Sequence, residues 1–311
     1  MGRVLTRLLP LVLLAGGCSS VDARFPALES GDAWARMPRE TPPLPLWART
    51  LVDSLPGTTA LQVDLDYLHR KRNPLGAVLA ARIRRAVAEQ NGCAYAMESA
   101  DFDLAQAKPP AEPPTEAEQR AIDFARRLTV DGAAITDEEV AALVDALGLD
   151  DTVAVVHTTA FANFQNRIYL ALGLASEPGG PAPPREVLPA ADAAFTVPAR
   201  VEPKQVAPGK AGALPPWDER TAAELRDLLE QQKGRESRIP MPDEVRRARL
   251  SRPERARKPR VSWGRVSMGY QPVLTTAWFR TMAAFDREAK LDQAFNSTLF
   301  WVITRTVDCF Y

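Results

Sequence analysis

The chain has 311 residues, 46% of them hydrophobic, which is enough apolar material for cores of ordinary domain size and rules out disorder throughout. Lys and Arg number 39, as do Asp and Glu, so no global field favours nucleic acid or an acidic partner, and any basic patch is local.

The first stretch carries Arg3 and Arg7, an apolar run from Leu8 to Leu14, and small residues leading into Cys18. This is the pattern of a secretory signal, too short to span a bilayer as a mature helix. Residues 1–17 are therefore set aside from the fold. The ending Ala15-Gly16-Gly17-Cys18 is similar to the lipobox of bacterial lipoproteins, with Ala15 where leucine is usual. The resemblance implies that Cys18 is acylated and that the protein is exported and lipid-anchored to a bacterial membrane, facing the periplasm or the cell surface. An ordinary cleaved signal is the alternative. No other stretch approaches the ~20 apolar residues that a membrane span needs. With Cys18 lipidated, Cys93 and Cys309 remain, in a compartment that permits them to pair.

Residues 18–45 contain Pro26, Pro38, Pro42, Pro43 and Pro45 with scattered charge, the composition of a tether. Residues 46–174 are expected to form a helical domain. In Pro74–Gly92 the residues Leu79, Ile83, Ala86 and Val87 share one helical face, while Arg82, Arg84, Arg85 and Glu89 lie mostly elsewhere. The next helix is expected from near Cys93 to Ala107, stopping at Pro109 and Pro110. Thr115 with Glu118, and Thr136 with Glu139, are capping-box pairs ahead of Ile122, Ala125 and Leu128 and of Val140, Leu143, Val144 and Leu147. A long helix follows from Asp150 or Asp151 to Gly173. Five or so helices without a convincing alternating strand make the unit all-α.

Residues 175–262 read as a linker, dense in Pro, Ala and Gly up to Pro216, with a short helix from Thr221 to Gln232. Within the linker, Arg246 to Arg260 holds eight basic residues against one acid, either a solvated connector or a surface for anionic lipid headgroups. Residues 263–311 turn aromatic, with Trp263, Tyr270, Trp278, Phe279, Phe285, Phe295, Phe300 and Trp301. They end in an apolar helical run followed by Cys309-x-Tyr311, matching the run that ends in Cys93-x-Tyr95. The match marks a second, incomplete copy of the earlier stretch.

Asn91-Gly92-Cys93-x-Tyr95, the Phe124–Thr129 stretch, the Thr136–Val140 helix start and the Phe164, Asn166, Arg167 close, taken in order, resemble the carboxymuconolactone decarboxylase and AhpD-like alkylhydroperoxidase superfamily. The resemblance covers about residues 46–174, and 263–311 look like a truncated start of a second AhpD-like repeat. It implies an all-α, AhpD-like helical bundle that forms a homo-oligomer. In the peroxidase branch a C-x-x-C pair reduces peroxide, helped by a histidine and a glutamate. Here Cys93 matches the first cysteine, but Ala96, Ala100 and Ala81 stand for the second cysteine, the histidine and the glutamate. Cys309 matches the first cysteine of the second copy and Ser297 its glutamate.

Cys93, Cys309 and His157 are accordingly the candidate catalytic residues. A lone thiol at Cys93 could react with peroxide and be recycled by a thiol reductant, yet no basic residue lies within its next turn, and Glu98 nearby would raise its pKa. A buried structural cysteine is the competing reading. His157 could face the cysteine-bearing helix; His69, set among charges, reads as exposed. Asn163, Gln165, Asn166 and Arg167 form a polar run in which Arg167 either pairs with Asp123 or Asp151 or faces a pocket. Two histidines and no carboxylate cluster supply no metal site, and no phosphate loop implies a nucleotide cofactor. The expectation is a lipoprotein whose first copy is a non-catalytic scaffold or oligomerisation unit. Its alternatives are a thiol-dependent alkyl hydroperoxidase using Cys93 and a module binding a small hydrophobic ligand between helices.

Overall fold

The computed structural model describes residues 27, 44–107, 112–187, 221–233, 236–256, 259, 261–289, 291 and 293–306. The signal, Cys18, most of the tether, Cys309 and Tyr311 lie outside the described residues. Among the described residues the chain is all-α, with no strand. Helices α1 (Leu46–Leu51), α2 (Pro56–Lys71), α3 (Ala77–Gln90), α4 (Ala94–Ala105), α5 (Glu116–Val130) and α6 (Asp137–Leu172) build the first unit. After it come α7 (Ala222–Lys233), the short α8 (Glu244–Ala248) and α9 (Arg252–Ala256), then α10 (Ser262–Tyr270), α11 (Pro272–Glu288) and α12 (Gln293–Thr306).

Local chemistry sets most of the boundaries. Thr115 and Thr136 each accept from the backbone N–H three residues on, and Glu118 and Glu139 accept in return. Both capping boxes therefore satisfy amides that a helix start leaves open. In α6 the backbone leaves the helix at Gly148, with φ 79° and ψ 171°. A side chain there would be strained, and the break falls where the sequence places the boundary between two helices. The same helix closes at Gly173 in the left-handed region.

The core of the first unit lies where α3 meets α5 and α6. Leu79, Ile83, Ala86 and Val87 pack with Ile122, Phe124, Ala125, Val140, Leu143 and Val155, as the period of α3 predicts. A second cluster joins Trp47 and Ala48 of α1 and Val52 just after it to Ala60 and Val63 of α2, Cys93, Tyr95 and Ala96 at the start of α4, and Tyr169 of α6. Residues 175–187, expected to be linker, are part of this body. Val187 and Ala182 are buried, and Glu177 accepts from the Leu46 backbone N–H and from the Tyr95 hydroxyl. The strap was hidden in sequence because proline and glycine content marks a chain that cannot be helical, not one that is exposed.

The last three helices repeat the spacing of the first three. Adding 216 to the first residue number of α1, α2 and α3 gives that of α10, α11 and α12, pairing Leu46 with Ser262, Pro56 with Pro272 and Ala77 with Gln293. Pro56 and Pro272 both open their helices after a residue in the same unusual conformation, φ −136°, ψ 60° at Leu55 and φ −132°, ψ 63° at Gln271. The same shift relates Trp47 to Trp263, Thr59 to Thr275 and Cys93 to Cys309.

Helices α2 and α11 pack side by side and antiparallel. Glu288, at the end of α11, meets Gly57 and Thr58 at the start of α2, while Leu65 packs with Ala277 and Phe161. Midway, the charge of Arg280 acts on Asp64, and these two residues are equivalent under the shift of 216. A residue facing its own equivalent is the arrangement found at the axis of a two-fold pair.

Candidate functional site

Cys93 sits at the mouth of α4, its backbone N–H bonded to the Ala88 carbonyl and its own carbonyl accepting from Met97. Its side chain is 1% exposed and lies in the cluster with Trp47, Tyr95 and Tyr169. Tyr95 meets Tyr169 edge to face, with ring centroids 4.9 Å apart, and Trp47 lies 6.4 Å from Tyr169. Burial pushes the Cys93 thiol pKa up, and a hydrogen bond from the Ala96 backbone opposes it more weakly. The helix N-terminus therefore does not deliver the acidic thiol that nucleophilic sulfur requires. Among the described residues neither a histidine nor a carboxylate hydrogen-bonds this sulfur. Glu98 accepts from Ser176 of the strap instead.

Ala81, Ala96 and Ala100 are all buried, and a methyl carries no proton that could be relayed. The cavity against Trp47, Arg70, Tyr95 and Tyr169 measures about 10 Å³, room for one water-sized body at most.

Beside the sulfur lies a buried charge network that the sequence did not reveal. Arg70 donates from Nε and Nη2 to the two oxygens of Asp103, at 2.7 and 2.9 Å, and from Nη1 to Asp66 at 3.1 Å. Arg84 donates to Asp103 at 2.7 Å and to Ser99 at 3.2 Å, and Gln165 donates to Asp66 at 2.8 Å. Arg70, Arg84, Asp66, Asp103 and Gln165 are all buried. Two cations and two anions balance, which is what allows them to stay charged out of water. Burial opposes the charge on Arg70, but Asp66 and Asp103 outweigh it and raise its pKa. Burial likewise works against the Asp103 carboxylate, and the bonds and charges of Arg70 and Arg84 overcome it, holding its pKa below the usual value. Arg84 thus lies inside, not on the polar face expected for it. The signal available in sequence was Asp66 and Arg70 at i, i+4 on one helix; their partners 33 or more residues away were not inferable.

His69 reverses its expectation too. It is 2% exposed, stacked on Phe161 with ring centroids 4.2 Å apart, and its Nδ1 has no hydrogen-bond partner among the described residues. Burial, then His157 and Arg84, push its pKa well below the ordinary value. His157 lies within the electrostatic reach of His69, and burial lowers its pKa to about 4. Both rings are neutral near pH 7, and the structure brings His157 to His69 and not to Cys93. Arg167 is exposed and forms neither expected ion pair among the described residues; Asn163 bonds Asn91 and Thr129. No group of three His, Cys, Asp or Glu side chains among the described residues could hold a metal ion. Nor is any described helix long and apolar enough to cross a membrane.

No family model matches the chain, and comparison with curated proteins and with solved structures finds no match.

Proposed function

We propose that the helical unit is a non-catalytic scaffold of the AhpD-like type, built to assemble and not to turn over peroxide. The observation that carries this reading is the sealed sulfur. Cys93 is buried under aromatic rings, its thiol pKa is raised, and buried methyls occupy the places of the groups that would relay protons. A thiol peroxidase needs an accessible thiolate and a proton path. A balanced ion network in the same region serves instead to lock α2, α3, α4 and α6 into one register.

The assembly part of the reading rests on α12. Its residues Leu299 and Ile303 are 41% and 50% exposed, yet they are the equivalents of Ile83 and Val87, which α3 buries completely. An exposed apolar helix face of this kind marks a contact surface, and in the homo-oligomer reading a second copy of this chain covers it. The lipid anchor at Cys18 would gather such assemblies at a membrane.

Peroxide consumption with an added dithiol, measured for the wild type and for Cys93→Ala, tests the first half of the proposal. Equal, background rates are expected; turnover lost on that substitution overturns the scaffold reading. Sedimentation of wild type against Leu299→Asp/Ile303→Asp tests the second half. A wild-type oligomer that dissociates in the variant is expected, and a monomeric wild type removes the assembly role.

A further inference from the structure

Helix α10 carries two glycines, and each lets a proline approach closely. A Cβ on Gly269 would overlap the Pro242 ring, and one on Gly264 would lie 2.9 Å from Pro259 Cβ. Pro242 and Pro259 are thereby both set against α10. Tyr270 adds a hydrogen bond to the Pro240 carbonyl. Residues 243–256, with α8 and α9, arch away from α10 and leave a cleft of about 630 Å³, within the size range of small-molecule sites.

The walls of this cleft divide by chemistry. Pro242, Leu250, Pro259 and Met268 give an apolar lining, while Arg247, Arg255 and Arg265 bring three guanidinium groups and Glu244 one carboxylate. Two of the three arginines are held without being neutralised. Arg247 Nε donates to the Asp243 carbonyl at 3.3 Å and Arg255 Nη1 to the Ala248 carbonyl at 3.1 Å, which orients each fork and leaves further N–H groups open. Neither these two nor Arg265 pairs with a carboxylate among the described residues. Their neighbour Arg246 behaves differently: it is spent on Asp150, at 2.5 and 3.0 Å, and on the face of Tyr270 at 4.1 Å. One arginine of the basic stretch thus fastens the arch to α6 while the cleft keeps an excess of positive charge over an apolar lining.

We propose that this cleft binds an amphiphile with a phosphate head, the guanidinium forks taking the head and the apolar walls taking the first part of its chain. The head belongs to a bilayer lipid or to a free single-chain phosphate, and the two sources share this chemistry. The proposal does not depend on the state of Cys93.

Titration of the full chain with dodecyl phosphate below its micellar concentration, followed by calorimetry, tests it, with inorganic phosphate and dodecyltrimethylammonium as comparisons. One dodecyl phosphate per chain is expected, with inorganic phosphate at least tenfold weaker and the cationic amphiphile not bound. Arg247→Gln/Arg265→Gln should weaken dodecyl phosphate at least tenfold, whereas Arg249→Gln, on an exposed arginine outside the cleft lining, should leave it unchanged. Circular dichroism verifies that the variants are folded. Co-sedimentation with phosphatidylglycerol vesicles that is lost in the double variant assigns the head to a bilayer lipid. Binding of dodecyl phosphate without co-sedimentation assigns it to a free amphiphile. The proposal is overturned if neither probe binds, if the double variant keeps wild-type affinity for both, or if dodecyltrimethylammonium binds as tightly as dodecyl phosphate.

Discussion

The carboxylate of Glu288 accepts from the backbone N–H groups of Gly57 and Thr58, at 2.7 and 2.8 Å, and from the Thr58 hydroxyl at 2.6 Å. A side chain from the end of α11 thereby does for α2 what an N-cap residue ordinarily does, because Leu55 offers no side-chain acceptor. The negative charge also sits at the positive end of the α2 dipole. Glu288→Ala is expected to cost about 1–2 kcal/mol, read as a lower urea midpoint at unchanged slope. Glu288→Gln, which keeps acceptor capacity on one oxygen, should lose less.

Asp103 holds two guanidinium groups at once. Asp103→Asn leaves a surplus of buried positive charge, and a loss of about 3–5 kcal/mol is expected. Adding Arg84→Met to that variant removes one stranded cation and should recover part of the loss, so the double-variant cycle yields a coupling energy different from zero. Additive effects would show that the network is not a unit.

The pH dependence of stability follows from the buried His69 and Asp64 and the half-buried His157. The folded-state pKa values of His69 and His157 lie below their unfolded values, that of His157 at about 4. Their contribution is fully present above about pH 6.5 and is lost as the pH falls toward 4. Asp64 acts in the opposite sense. Burial, eased by Arg280 and worsened by Glu186, raises its pKa to about 6, so its contribution is present below about pH 3.8 and is lost as the pH rises through 6. Between pH 4 and 6 the two histidines outweigh the one acid, and stability should rise with pH by up to about 1.4 kcal/mol per unit. His69→Phe, which installs the aromatic found at the equivalent Phe285, should flatten that slope. Asp64→Asn should steepen it and stabilise the protein at pH 7 by about 1–2 kcal/mol after allowance for solvent screening. Urea denaturation across this range measures all three.

Gly269→Ala places a methyl against the Pro242 ring. The expected cost is about 1–3 kcal/mol, the range for overpacking a filled site, accompanied by faster proteolysis between residues 243 and 256, which the displaced arch no longer protects. The core where α3 meets α5 and α6 should resist digestion as before.

What could be seen in the sequence was what is decided locally. The capping boxes at Thr115 and Thr136 need only four consecutive residues, and the apolar face of α3 follows from its own period. The burial of His69 and Arg84 could not be seen, because each is made tolerable by a group far along the chain: Phe161 for the ring and Asp103 for the guanidinium. Cys93 belongs between the two. Its position at a helix start was legible, but whether that start faced water or Trp47 and Tyr169 was a tertiary matter, and it decides whether the sulfur can react.

The pairing of α2 with α11 has a consequence for synthesis. The flank of α2 around Leu65 and Leu68 emerges from the ribosome about two hundred residues before Ala277 and Trp278 arrive to cover it. At ~5–20 residues per second, that interval lasts roughly ten to forty seconds, long on the scale of helix docking. The nascent chain carries this uncovered apolar flank throughout, the stage at which exposed surface is most prone to associate.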